Sequence, residues 1–185
     1  ASLYYSKHIE GNGAECLQAA CQMQLEGIIG KKAHSLYSGN RSGDWVKLKC
    51  QRRQEFVIGG YTQSEARDLS ALLLGVYDGD QLIYVGRAGT GFTERIMAEL
   101  KQRFAPLKRD TSPFQQPPKL KGDQSIVWLE PLLVAEIQYA ELTKDRQLRQ
   151  ASFKGLRHDK PPKEIQMDSL DKTVTKTHSE PASQP

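Results

Sequence analysis

Three runs of apolar, β-branched and aromatic residues follow one another closely: EFVIGGY, ALLLGVY and QLIYVGR, at residues 55–61, 71–77 and 81–87. Each is strand-length and each ends at turn-forming residues, which argues for short strands rather than helices. Asp78-Gly79-Asp80 joins the last two and predicts a hairpin turn. A helix is expected next, capped by Thr93, with Ile96, Met97, Leu100 and Phe104 on one face. A long Pro- and Lys-containing loop from about Ala105 to Gln124 leads to the strand LVAEIQYAEL and a final strand-like piece, LRQASFKGLR. Five strands with one helix between the third and fourth is the element order of an OB-fold, a small β-barrel that binds nucleic acid.

Upstream of about Gln54 the texture differs. SLYYSKHI reads as a strand, and GNG opens an amphipathic helix with Leu17, Ala20, Cys21 and Leu25 at helical spacing. LEGIIGKKA is a short apolar strand, SLYSGNRSG a loop, and WVKLK a strand. This β-α-β-loop-β piece has too few elements to bury both faces of a sheet, so it is expected to be the end of a larger domain that begins upstream. After Pro161, Lys, Glu, Asp, Ser, Thr and Pro dominate, with too little apolar side chain to offset the entropy of ordering. The expected class is therefore α+β, with an incomplete domain over 1–52, an OB domain over 53–164, and a disordered linker or tail over 165–185.

Charge narrows the partners. Seven basic residues against one acid, Asp44, lie between Lys31 and Arg53. Six against one acid, Asp110, lie between Lys101 and Lys121. Each cluster alone reads as solvated surface, but two in a chain of net charge +4 favour a polyanionic partner. No run approaches the roughly 18 apolar residues of a membrane span, and no basic-then-apolar signal opens the chain. The three cysteines, Cys16, Cys21 and Cys50, lack zinc-site spacing, and their odd count does not suggest a disulfide framework. A reducing cytoplasm is the simplest home for them.

Three constellations carry chemistry. In WVKLK, Lys47 and Lys49 share one strand face, while Val46, Leu48 and Cys50 point to the other and are expected to be buried. Like charges two residues apart repel, and an anion such as phosphate between them removes the conflict; solvated lysines are the commoner explanation of this spacing alone. In EGIIGK, one apolar strand offers a carboxylate, Glu26, and an ammonium, Lys31; a carboxylate beside phosphate commonly holds Mg²⁺. In FKGLRHDK, Arg157 can fork phosphate oxygens with Lys160 as a second point charge, whereas His158 has no nucleophile nearby to activate. GRAGTGF is not a Walker loop and reads as a tight strand-to-helix connection, with Arg87 and Thr90 within possible reach of a DNA backbone.

In order, EGIIGK, WVKLK and RHDK resemble the fourth, fifth and sixth nucleotidyltransferase motifs of the ATP-dependent DNA ligases of bacterial non-homologous end joining, the ligase D type. LLLGVYDGDQLIYVGRAGTGF, LKRDTSPF, WLEPLLVAEIQYAELT and SFKGLRHDKPP are similar to the same ligases, so the resemblance runs from Leu3 to about Glu164. It implies the end of an adenylation domain followed by its OB domain. Glu26 would assist a divalent metal, Mg or Mn. Lys31, Lys47 and Lys49 would surround the nucleotide, the last two on the α-phosphate. Arg157 and Lys160 would swing in on the OB domain to engage the β- and γ-phosphates of ATP and orient pyrophosphate.

The implied activity seals 5′-phosphate/3′-hydroxyl breaks through lysyl-AMP and DNA-adenylate intermediates. The implied partners are duplex DNA with nicks or broken ends, a DNA-end-binding protein, and fused polymerase or nuclease modules, with no membrane and a nucleoid-associated cytoplasmic location. One departure matters: the family's nucleophilic lysine sits in K-x-D-G, and here the one Asp-Gly pair, at Asp78-Gly79, has Val76 in the lysine's place. A C-terminal fragment of a ligase, inactive alone in self-adenylation, is therefore expected. The competing readings are an OB module that binds nucleic acid without chemistry, and another lysine nucleotidyltransferase such as an RNA ligase or capping guanylyltransferase. EGIIGK and WVKLK argue against binding alone, since an OB domain needs neither.

Overall fold

The computed structural model describes residues 8–23, 25–36, 43–65, 67–119 and 125–169. The strand expected over SLYYSKHI lies almost wholly outside them, as does most of the SLYSGNRSG loop. The chain divides into two compact units, Ala1–Cys50 and Gln51–Pro185. No helix among the described residues is long and apolar enough to cross a membrane.

In the first unit, Asn12 caps α1 (Gly13–Gln22) by accepting the Ala14 N–H at 3.0 Å. The helix is shorter than its hydrophobic spacing predicts, since Leu25 lies beyond its end and is exposed. Strands β1 (Gly27–Lys31) and β2 (Trp45–Lys49) form an antiparallel pair in which Ile28 faces Leu48 and Ile29 faces Lys47. Gly27 adopts φ +150°, and any Cβ there would run into the Leu48 carbonyl, so only glycine lets the strands start this close. Two cysteine expectations change here. Cys21, at the end of α1, and Cys50, just past β2, lie 5.4 Å apart at Cα and are disulfide-bonded, leaving Cys16 as the free thiol. The cysteine pattern therefore gives no support to a reducing compartment.

The buried face expected behind the lysines is not closed. Val46 is 48% exposed and Leu48 half-buried, although Cys50 is buried as expected; on the lysine face Ile29 and Trp45 are exposed as well. The one helix and two strands among the described residues cannot cover both faces of a sheet.

The second unit contains strands β3 (Arg52–Ser64), β4 (Arg67–Asp78) and β5 (Gln81–Ala88), then α2 (Glu94–Phe104), β6 (Lys108–Arg109), β7 (Ser125–Tyr139), β8 (Glu141–Leu142), β9 (Leu148–Arg149) and β10 (Ser152–Arg157). The main sheet runs β10-β7-β3-β4-β5, all antiparallel. A parallel bridge between Thr90 and Ser152, with the Phe153 N–H donating to the Thr90 carbonyl at 2.9 Å, brings the two outer strands together. This is the curled, barrel-forming sheet of an OB-fold. Gly79 at φ +58° makes the β4–β5 turn, and Thr93 caps α2 by accepting the Ile96 N–H. Phe56, Ile58, Leu72, Leu74, Val76 and Val85 fill the core, and α2 adds Leu100 and Phe104, the latter stacked on Tyr61.

The segment expected as a long loop and the start of the one expected to be disordered both carry structure. In the loop after α2, a 3-10 turn (Ala105–Leu107) leads into β6, which pairs with β7, and Phe114 lies over Gly59 and Gly75, where side chains would collide with its ring. After Pro161, Ile165 and Met167 are buried, and the Tyr77 N–H donates to the Ile165 carbonyl at 2.7 Å. Ordered chain thus continues to residue 169, held by these contacts and by Lys163, whose Nζ donates to Asp80 Oδ1 at 2.9 Å and lies over the Tyr77 ring. Residues 170–185 lie outside the described residues.

Candidate nucleotide and phosphate sites

In the first unit the β1–β2 register brings Glu26, Lys47 and Lys49 together. Glu26 Oε1 accepts from Lys47 Nζ at 2.8 Å and lies 4.0 Å from Lys49 Nζ. The anion between the paired lysines is thus this protein's own carboxylate. The Lys47 hydrogen bond, then its charge and that of Lys49, hold the Glu26 carboxyl below its ordinary range. Lys31 stands at the other end of β1, with Nζ 4.1 Å from the centroid of the Trp45 ring.

The donor set bears on a metal. Among the described residues no three His, Cys, Asp or Glu side chains gather into a metal cage. Glu26 alone supplies a carboxylate here, and it is half-engaged by Lys47. That fits a Mg²⁺ or Mn²⁺ ion arriving with nucleotide phosphates, because such ions keep several waters and need only one or two carboxylates plus phosphate oxygens.

In the second unit, Arg157 at the end of β10 is gripped on three sides. Its Nε and Nη2 donate to Asp159 Oδ1 and Oδ2 at 2.9 and 2.7 Å, a bidentate fork. Its Nη1 donates to Glu136 Oε2 at 3.3 Å and lies 3.6 Å from Glu55 Oε1. Lys160 Nζ is 3.1 Å from Glu55 Oε1, and Arg53 Nη1 is 3.5 Å from Glu136 Oε1. The fork pushes the Asp159 carboxyl well below the usual carboxylate range and raises Arg157 further above its own. His158 is exposed. Thr90 is used by the fold, its hydroxyl donating to the Ala151 carbonyl and its backbone bridging to Ser152.

Sequence reasoning passed over Glu55 and Glu136. The available signal was a carboxylate inside an apolar strand run, LLVAEIQY, since a shielded acid requires a cationic partner. Which cation would answer it depended on strand register.

The family model for the ATP dependent DNA ligase C terminal region matches residues 65–160. The multifunctional non-homologous end joining protein LigD of Pseudomonas aeruginosa is 42% identical over 168 residues, covering 88% of this chain and 20% of that protein. LigD of Mycolicibacterium smegmatis is 40% identical over 161 residues, covering 85% and 21%. The crystal structure of the ligase domain of M. tuberculosis LigD superposes with TM-score 0.59 at 41% identity, covering 84% of this chain and 52% of that one. A mycobacterial DNA ligase D complexed with ATP and MES gives 0.56 at 41%, covering 84% and 51%. The chain thus spans about a fifth of the relatives it matches.

Proposed function

Because this chain belongs to the ATP-dependent DNA ligase C-terminal family, with LigD proteins among its relatives, we propose that it serves an enzyme that seals 5′-phosphate/3′-hydroxyl breaks in duplex DNA during end joining. ATP is the cofactor: a lysine outside this chain attacks the α-phosphorus and expels pyrophosphate, and AMP then passes to the DNA 5′-phosphate. The 3′-hydroxyl finally attacks that phosphate and releases AMP.

Lys47 and Lys49 neutralise charge on the α-phosphate in each step that involves it, and Lys31 binds the nucleotide. The observation that carries this reading is the anion already seated between the two lysines, Glu26 Oε1 at 2.8 and 4.0 Å. A phosphate oxygen meets the same two donors with more charge, and freeing Glu26 makes its carboxylate available as a metal ligand. The divalent ion would neutralise phosphate charge beside it. Arg157 and Lys160 engage the β- and γ-phosphates during self-adenylation, the step in which those phosphates exist. This chain by itself does not form lysyl-AMP, because it contains no K-x-D-G. DNA-end-binding partners and fused polymerase or nuclease modules belong to the same proposal, supported by the multifunctional description of the relatives.

The test uses full-length enzyme carrying Lys47→Ala or Lys49→Ala. Removing one preorganised charge from a transition state lowers rate by about 10²–10³, and both self-adenylation and sealing of a pre-adenylated nick should fall. Near-normal rates in both variants would return the lysines to ordinary solvated surface.

A further inference from the structure

Glu55 on β3 and Glu136 on β7 stand directly opposite each other in register. Their side chains are 20% and 25% exposed. Like charges opposed across neighbouring strands destabilise a sheet, more so where water is partly excluded. The pair is tolerated because Lys160, Arg157 and Arg53 converge on it. With Asp159 included, three carboxylates balance three cations.

The arrangement has a direction. Asp159 occupies Nε and Nη2 of Arg157, so Nη1 is the edge left for another anion, and Glu136 and Glu55 occupy that edge. Glu55 also occupies Lys160 Nζ. Carboxylate oxygens therefore already hold donors that phosphate oxygens would share or take if these two cations gripped a nucleotide.

We propose that Glu55 and Glu136 are positioning residues for self-adenylation: they hold Arg157 and Lys160 ready while competing for them with the β- and γ-phosphates, so that pyrophosphate is gripped loosely enough to leave. The inference rests on the reading that Arg157 and Lys160 meet the triphosphate. A purely structural ion-pair cluster would also hold the barrel together, but it would leave nucleotide affinity where it is. Competition predicts the opposite of a lost contact: removing either acid tightens the grip.

The experiment uses full-length enzyme with Glu55→Gln, Glu136→Gln and the double change, which keep shape and remove charge. Self-adenylation is followed against ATP concentration and against added inorganic pyrophosphate, with sealing of a pre-adenylated nick measured alongside. Charge-assisted hydrogen bonds of this kind imply that KM for ATP falls about threefold in each single variant and about tenfold in the double. Pyrophosphate should inhibit at correspondingly lower concentration, and the change should be confined to the ATP-dependent step. The single variants each leave Asp159 and one glutamate on Arg157, so the test stands even if the double variant is unstable. An unchanged or raised KM, or a lower KM without stronger pyrophosphate inhibition, overturns the proposal. Arg157→Ala separates the two levels. If it blocks self-adenylation while the glutamine variants leave KM unchanged, only the present inference falls; if it leaves self-adenylation intact, the triphosphate reading fails and takes this inference with it.

Discussion

In the hairpin unit, Lys47 and Lys49 share a single carboxylate, and both Lys47 and Glu26 are more than half exposed. In the barrel unit, Arg157 and Lys160 share three carboxylates, two of them largely shielded by the sheet. Exposed pairs are screened by water and cost little to break, whereas partly desolvated ones hold harder. The hairpin pair is therefore the easier of the two to break, and the barrel cations are the more fully neutralised. The same contrast runs through the packing. The barrel buries Phe56, Ile58, Leu72 and Leu74 completely, and the hairpin leaves Ile29, Trp45 and Val46 in solvent.

The packing contrast breaks first, because its expected effect is largest. Phe56→Ala in this chain should cost about 3–5 kcal/mol of barrel stability, as removal of a fully buried aromatic does. Val46→Ala should stay within about 0.5 kcal/mol, as surface changes do. Urea unfolding of both variants reads the difference, and a comparable loss from Val46→Ala would mean the hairpin has a core of its own.

The charge contrast comes next. In full-length enzyme, Arg157→Ala should lower self-adenylation by about 10²–10³, the worth of one positioned charge, yet spare sealing of a pre-adenylated nick. DNA-adenylate carries an α-phosphate but no β- or γ-phosphate, so the proposed roles require the hairpin lysines in both steps and Arg157 in one. Equal losses of the two activities in Arg157→Ala would erase the distinction and make Arg157 a structural or DNA-contact residue.

Much of this was legible in the sequence. The sequence of strands and helix along the barrel followed from apolar runs and turn residues, because both are local. The hairpin site followed from residue spacing along one strand, which puts Lys47 and Lys49 on one side. What escaped reading depends on contacts between distant segments. Phe114 sits in a Pro- and Lys-rich stretch with no periodicity, and its role exists only because Gly59 and Gly75 leave room for it on other strands. Glu55 and Glu136 become a pair through register, and Cys21 meets Cys50 only once the helix and hairpin are both formed. Ile165 and Met167 are two apolar residues in a polar stretch, too few to make a pattern.

Gly59 sharpens the packing contrast at smaller scale. A Cβ there would press into the Phe114 ring, so Gly59→Ala should cost about 1–3 kcal/mol through overpacking. In the hairpin, Gly30 has only the Val46 carbonyl nearby, at 3.8 Å, an ordinary contact. Gly30→Ala should therefore leave unfolding close to wild type. If the two substitutions cost the same, the loop carrying Phe114 is not packed as described.

The smallest effect concerns pH. Arg157, through its hydrogen bonds and its charge, depresses the Asp159 carboxyl in the folded barrel. A carboxyl with a depressed folded pKa contributes stability that is fully present above its unfolded value of about 3.9 and is lost as pH falls through the folded value. Asp159→Asn should therefore lower the barrel's unfolding midpoint at neutral pH, and the gap from wild type should stay constant down to about pH 5 and narrow below it. Glu26 is depressed in the same direction by Lys47, but it lies on the exposed hairpin. Glu26→Gln should leave the barrel's transition unmoved at every pH. Paired thermal melts across the acid range decide the matter: a gap for Asp159→Asn that does not close in acid would show that shape, rather than charge, is what Asp159 contributes to the fork.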